Sequence, residues 1–236
     1  VQPIHPSDNH RRAFPLLLKA VVCAFVAFHL VVDLRFYGPL NYLWFCDLGL
    51  LTAAIALCLE NRLLLSMTVI SVMGTSVLWS ADLLLNVVLG HYPLGMASYM
   101  SDPQLPLSLR LASAFHMWMP LLLIWMMYRI GYDRRAIWYQ TLFAIALLVI
   151  CRTLTAPPPA RSLHDVVNIN GVYGNSDVAP QTRFPAWLYL TRHIIKCWVV
   201  LYLPTHIAAI LLFDRRSRHK PAIPSGAESA AASLPH

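Results

Sequence analysis

Charged side chains are scarce in this chain: Asp, Glu, Lys and Arg together make up 12% of it, about half the roughly 25% usual for a soluble domain. A water-facing surface cannot be dressed on so little charge, so an ordinary soluble fold is excluded. Glycine is also thin, with 9 residues in 236, and none of them builds a phosphate-cradling loop of the nucleotide-binding kind. The 5 cysteines (Cys23, Cys46, Cys58, Cys151 and Cys197) show no paired spacing, which argues against a disulfide or zinc framework. Each is by default a small buried hydrophobe. No internal repeat is visible.

Apolar residues fill the space. They make up 58% of the chain, with a mean hydropathy of +0.56. Six runs stand out, Phe14–Val32, Tyr42–Leu59, Leu63–Leu89, Leu109–Tyr128, Ala136–Leu154 and Ala186–Phe213. Each is long enough to cross about 30 Å of hydrocarbon at about 1.5 Å per residue. The first run follows Arg11 and Arg12 but is too long for a signal h-region and lacks a small-residue cleavage pattern, so it reads as retained. The expected fold is all-α, a polytopic six-helix transmembrane bundle over residues 14–213. A short segment, 1–13, precedes it, and a basic, then Ala/Ser/Pro-rich tail, 214–236, follows.

The net charge of +7 does not point to nucleic acid, because the basic residues cluster at helix ends. If the helices alternate, eleven fall on one side: Arg11, Arg12, Lys19, Arg62, Arg129, Arg134, Arg135, Arg215, Arg216, Arg218 and Lys220. Five fall on the other: Arg35, Arg110, Arg152, Arg161 and Arg183. The excess marks the cytoplasmic face, so both termini are expected there and the long connections 90–108 and 155–185 outside.

The polar residues inside the runs gather toward that outer face. His29 and Asp33 close helix one, Cys46 and Asp47 open helix two, and Asp82 and Asn86 lie in the last turns of helix three. His116 lies in helix four, Arg152 closes helix five, and Arg192, His193 and Lys196 lie in helix six. His29/Asp33, Asp82/Asn86 and Arg192/Lys196 are spaced four apart and so share helix faces. Carboxylates of the first three helices can then meet cations of the last three, with Arg152, Arg192 or Lys196 as the expected partner of Asp47. Intramembrane ionisable residues default to a functional reading, and a charge-paired packing network is the structural alternative.

Cys46 and His116 sit at similar depths below the starts of their helices. A histidine beside a cysteine can take its proton, making the thiolate that attacks an acyl carbonyl, and can return it to the leaving group. Packing for Cys46 and a bond to a neighbouring carbonyl for His116 is the alternative.

The run "LWFCDLGLLL" resembles the start of helix two in the bacterial YwaF-type integral membrane family, related to the cysteine acyltransferases of the transmembrane protein 164 type. "MSDPQLPLSLRLASAFHMWMPLLLIW" is similar to that family's Pro-containing outer loop and single-histidine helix, and "NINGVYG" to its later Asn-aromatic segment. The chain departs from the family in having Tyr42, Leu43, Trp44 and Phe45 just before the cysteine, where a Pro and a His are expected. The resemblance implies a multi-pass protein of the bacterial cytoplasmic (inner) membrane, with Cys46 as nucleophile, His116 as its base and a phospholipid as substrate.

On this reading the protein is a lipid acyltransferase or hydrolase near the outer leaflet, with membrane lipids as partners, no nucleic acid, no cofactor and no metal. Asp47, Asp82, Asn86, Arg152, Arg192, His193 and Lys196 are its candidate binding residues, the cations for a lipid phosphate. The competing classes are a non-catalytic scaffold or small-solute carrier, and a haem or metal protein using His29, His116, His193 and His206. A topology reporter fused after His236 is expected to report from the cytoplasm; a periplasmic signal would show an odd number of crossings.

Overall fold

The computed structural model describes residues 13–213, and the expected cytoplasmic segment up to residue 12 and the tail 214–236 lie outside them. The described residues form eight α-helices and no strand. In order they are α1 Leu16–Phe36, α2 Phe45–Leu59, α3 Arg62–Leu89, α4 Leu107–Ser113, α5 Phe115–Ile130, α6 Ala136–Leu154, α7 Ala186–Cys197 and α8 Leu203–Phe213. Five apolar segments are long enough to cross a membrane: α1, α3, α4 with α5, α6, and α7 through α8. The expected sixth is α2, which has 15 residues and so reaches only about 22 Å. It starts late because Pro39–Leu43 curls into a separate tight helical turn and Trp44 is extended.

Local chemistry explains most boundaries. Pro15 precedes α1 with a preset backbone and no N–H to lose. The Asn61 side chain caps α3 by accepting the Leu64 N–H at 2.9 Å, and Gly90, at φ 73°, ends it in the left-handed region. Two prolines sit inside helical segments. Pro120 cannot bond the carbonyl of His116, and the Ser80 hydroxyl donates to that carbonyl instead, at 2.9 Å. Pro204 likewise leaves the carbonyl of Val200 without its usual donor, and the turn around it, Trp198–Tyr202, widens into a π-helix.

Helix α3 is the axis of the assembly, packing on α2, α5, α6 and α8. Its seam with α2 is made of small groups, as membrane packing favours when lipid supplies no hydrophobic drive between helices. Ala53 and Ala56 are buried there, Thr68 Oγ1 donates to Thr52 Oγ1 at 2.9 Å, and Gly49 lies directly under Val72. Outward, Leu17, Val21, Leu84, Val88, Leu121 and Leu142 are exposed, an apolar belt that suits lipid rather than water.

The two ends of the assembly differ. At the short-connection end, Lys19 Nζ donates to Glu60 at 2.8 Å, and the Ala13 N–H adds a second bond at 2.9 Å. The Lys19 contact and these backbone bonds hold the Glu60 carboxyl below the usual carboxylate range. Arg135 does the same for Asp133, with Nη2 2.9 Å from Oδ2. The long connections meet at the other end, together with the close of α1 and the start of α2.

The α2–α3 seam yields a direct test. In Gly49→Ala the added methyl overlaps Val72 Cγ1, so thermal unfolding in detergent is expected to show a loss of about 1–3 kcal/mol. Val72→Ala in the same chain should return part of it, and an unchanged single variant would mean that the seam is open.

Candidate functional site

At the long-connection end, three ionisable side chains share one buried position. α1 closes when the Tyr37 and Gly38 N–H groups bond the Asp33 carbonyl, at 2.8 and 3.3 Å. Gly38, at φ 78°, then turns the chain back, which only a residue without Cβ does cheaply. The turn Pro39–Leu43 carries Asn41 inward, and α2 begins with Asp47 in its first turn, where the helix dipole favours a carboxylate. His29, one turn before Asp33, completes the group. Asp33 and Asp47 are each 5% exposed and His29 is 2% exposed.

The distances define the site. His29 Nε2 lies 3.3 Å from Asp47 Oδ1 and 3.5 Å from Asp33 Oδ2. Asn41 Nδ2 donates to Asp33 Oδ2 at 2.9 Å and to Asp47 Oδ2 at 3.3 Å, tying the carboxylates to one another. His29 Nε2 meets the carboxylates only at these longer ion-pair distances, short of a closed hydrogen bond, and the Ala112 backbone also faces the imidazole ring. Rings enclose it: Phe115 presents its edge at 5.4 Å and Tyr42 lies at 6.4 Å, its hydroxyl anchored on the Leu30 carbonyl at 2.7 Å. Behind Phe115 a column continues through His116, at 4.1 Å, to Trp79, at 4.7 Å from His116, and Trp79 Nε1 donates to the Tyr99 hydroxyl at 3.2 Å.

Asp47 therefore has different neighbours from the expected cations: His29 and Asn41 rather than Arg152, Arg192 or Lys196. Those three are engaged elsewhere. Arg152 lies over the Tyr173 ring at 4.0 Å, Arg192 over Phe184 at 4.6 Å, and Lys196 Nζ donates to Asn175 Oδ1 at 3.1 Å. Both Arg192 and Lys196 are exposed. Asp82, expected to face a cation, binds backbone instead: the Leu94 N–H at 2.7 Å and the Ala97 N–H at 2.9 Å donate to its two oxygens. It fastens the 90–106 connection. Asn86 supplies the carbonyl that closes α3 on the Gly90 N–H.

His116 is engaged by neighbours of its own. His116 Nδ1 is held by the Ser113 carbonyl at 2.8 Å, its ring is stacked between Phe115 and Trp79, and no hydrogen bond joins it to Cys46 Sγ among the described residues. Spacing puts the two at similar depth, and the rotation of each helix about its own axis decides whether they meet.

The second polar centre at this end is structural, and the Asn/Gly-rich segment builds it. Asn170, in the left-handed region at φ 54°, reaches the start of α2. Its Oδ1 accepts the Phe45 N–H at 3.0 Å, and its Nδ2 donates to the Leu43 carbonyl at 2.7 Å. The Asn170 carbonyl takes His193 Nε2 at 2.8 Å, so His193 serves this clamp and not the cluster. Asn168 closes the loop on itself through the Gly174 and Ser176 carbonyls and the Tyr173 N–H. Asn41 and Asn170 are absent from the sequence-derived site, and the signal for both was an amide inside or beside an apolar run.

No family model matches the chain, and neither a curated protein nor a solved structure matches it. The clamp can be tested by itself. Asn170→Ala removes both bonds to the α2 start and puts alanine, which tolerates the left-handed region less well than asparagine, at φ 54°, so a loss of about 1–3 kcal/mol in detergent unfolding is expected. Asn170→Gly keeps the backbone easy and should lose less; equal stability of all three proteins would show that the clamp contributes nothing.

Proposed function

We propose that this chain is a multi-pass protein of the bacterial cytoplasmic membrane whose working centre, the His29–Asp33–Asp47 cluster, binds a cation. Both ends lie on the cytoplasmic side in this reading and the cluster lies toward the outer leaflet. The eleven-to-five division of basic residues supports that placement; the segments of spanning length number five, so this reading takes the 15-residue α2 as the sixth crossing. The observation that carries the function is charge: two carboxylates and a single imidazole occupy one site at 5% exposure or less. A packing network in hydrocarbon is stable when its charges are matched and its donors and acceptors are paired. Here the carboxylates outnumber the imidazole, and its contacts with them are longer than closed hydrogen bonds.

Lipid acyl transfer through Cys46 is the weaker reading. The resemblance around "LWFCDLGLLL" supports it, while no hydrogen bond joins the thiol to a histidine among the described residues and a carboxylate is its chain neighbour. The lipid-facing belt supports membrane lipids as the surroundings of the protein without selecting one as substrate.

The sign of a stability change separates a cation centre from a packing network. In the dialysed protein at neutral pH, Asp33→Asn and Asp47→Asn each remove one of two crowded negative charges, so thermal unfolding in detergent is expected to stay level or rise. A structural ion network would respond to either change with a loss of about 3–5 kcal/mol, and that result would overturn the proposal.

A further inference from the structure

We infer that the cation is a divalent transition metal of the zinc class, held by His29 Nε2 and one oxygen each of Asp33 and Asp47. This deepens the proposed cation centre and rests on it. The geometry is the first support. A direct charge-assisted hydrogen bond from imidazole to carboxylate closes to about 2.7–2.9 Å, whereas these contacts are 3.3 and 3.5 Å. Nitrogen and oxygen ligands at about 2.0–2.1 Å from a tetrahedral ion stand roughly 3.3–3.4 Å apart. The three donor atoms all lie within 4.8 Å of one another.

The second support is His29 itself. It is 2% exposed, and its Nε2 is aimed at both carboxylates at distances too long for closed hydrogen bonds. A buried polar group held only by long contacts is costly, and a metal ion between Nε2 and the carboxylates would replace each of those contacts with a coordination bond. The donor set selects the class: one imidazole with two carboxylates suits Zn2+ and its neighbours, whereas Mg2+ and Ca2+ prefer six or more oxygens.

Asn41 is a positioning residue in this site. Its amide donates to both carboxylates, the outer-shell arrangement that orients ligands and tunes their affinity. Three protein ligands leave a fourth position for water or another small ligand, as in zinc sites that are not purely structural. The Phe115 and Tyr42 rings keep the surroundings apolar.

The test uses the full chain in detergent, stripped with a chelator and titrated with Co2+, a visible reporter of tetrahedral coordination. One Co2+ per chain is expected, with d–d absorption, displacement by Zn2+ and no response to Mg2+. The absorption should lack a thiolate-to-metal charge-transfer band, which separates this site from Cys23 and Cys58, whose sulfurs lie 3.5 Å apart. His29→Gln and Asp47→Asn should abolish the Co2+ signal, and Asn41→Ala, which keeps all three ligands, should weaken affinity roughly 10–100-fold. Cys23→Ser and His91→Ala should change nothing. If His29→Gln or Asp47→Asn does not fold, Asn41→Ala carries the decision. Absence of Co2+ binding by folded wild type, a signal that survives His29→Gln, unchanged affinity in Asn41→Ala, or a charge-transfer band lost with Cys23→Ser would overturn the metal. Failure here with level or increased stability in Asp33→Asn and Asp47→Asn would remove the metal and leave the cation centre; a loss of stability in those variants would remove both.

Discussion

Hydrocarbon offers no hydrogen bonds, and that constraint decides almost every polar contact in this chain. Several groups that leave the regular helix ladder are met by a partner from elsewhere in the sequence. Pro120 frees a carbonyl and Ser80, on α3, answers it. The start of α2 exposes an N–H, and Asn170 reaches across to accept it. Asp82 would be an isolated carboxylate in a greasy helix, and the backbone of the connection that follows wraps it. His29 differs in meeting two carboxylates at once, at 3.3 and 3.5 Å.

The constraint also links fold to site. α2 owes its position to the close approach at Gly49 on one side and to the Asn170 clamp at its start. Asp47 is placed by that same first turn, so the geometry of the cluster is fixed by contacts made by residues outside it. The clamp belongs to the 155–185 connection, whose His164 Nδ1 also meets the Phe36 carbonyl at the close of α1, at 2.8 Å. A single segment therefore touches both elements that carry the carboxylates.

Much of the architecture was legible because hydropathy has a long range in sequence. Ala136–Leu154 and Ala186–Phe213 could be bounded from composition alone. The π-turn within the second could not, because widening at Pro204 depends on backbone geometry. The polar residues were also legible as a layer, and His29 and Asp33 shared a face as their spacing requires. Pairing across helices was not. Asp47 has His29 rather than an arginine beside it because Gly38 and Pro39 fold the link between α1 and α2 into a tight turn, while Arg192 and Lys196 lie on the exposed face of α7. Periodicity gives the face a residue occupies on its own helix, but the azimuth of one helix against another comes from packing.

The shortness of α2 has a consequence for the bilayer. A stretch of about 22 Å against about 30 Å of hydrocarbon is a hydrophobic mismatch, relieved by thinning the lipid or by sinking one end of the helix below the headgroups. The Glu60 end is anchored by charge, with Lys19 beside it, so the deficit falls at the Trp44 end, above the cluster. What fills the gap is protein: the Asn/Gly-rich segment lies there like a plug. On the helix side of the cluster the rings of Tyr42 and Phe115 pack against His29, so the plug and these rings close over it from two directions.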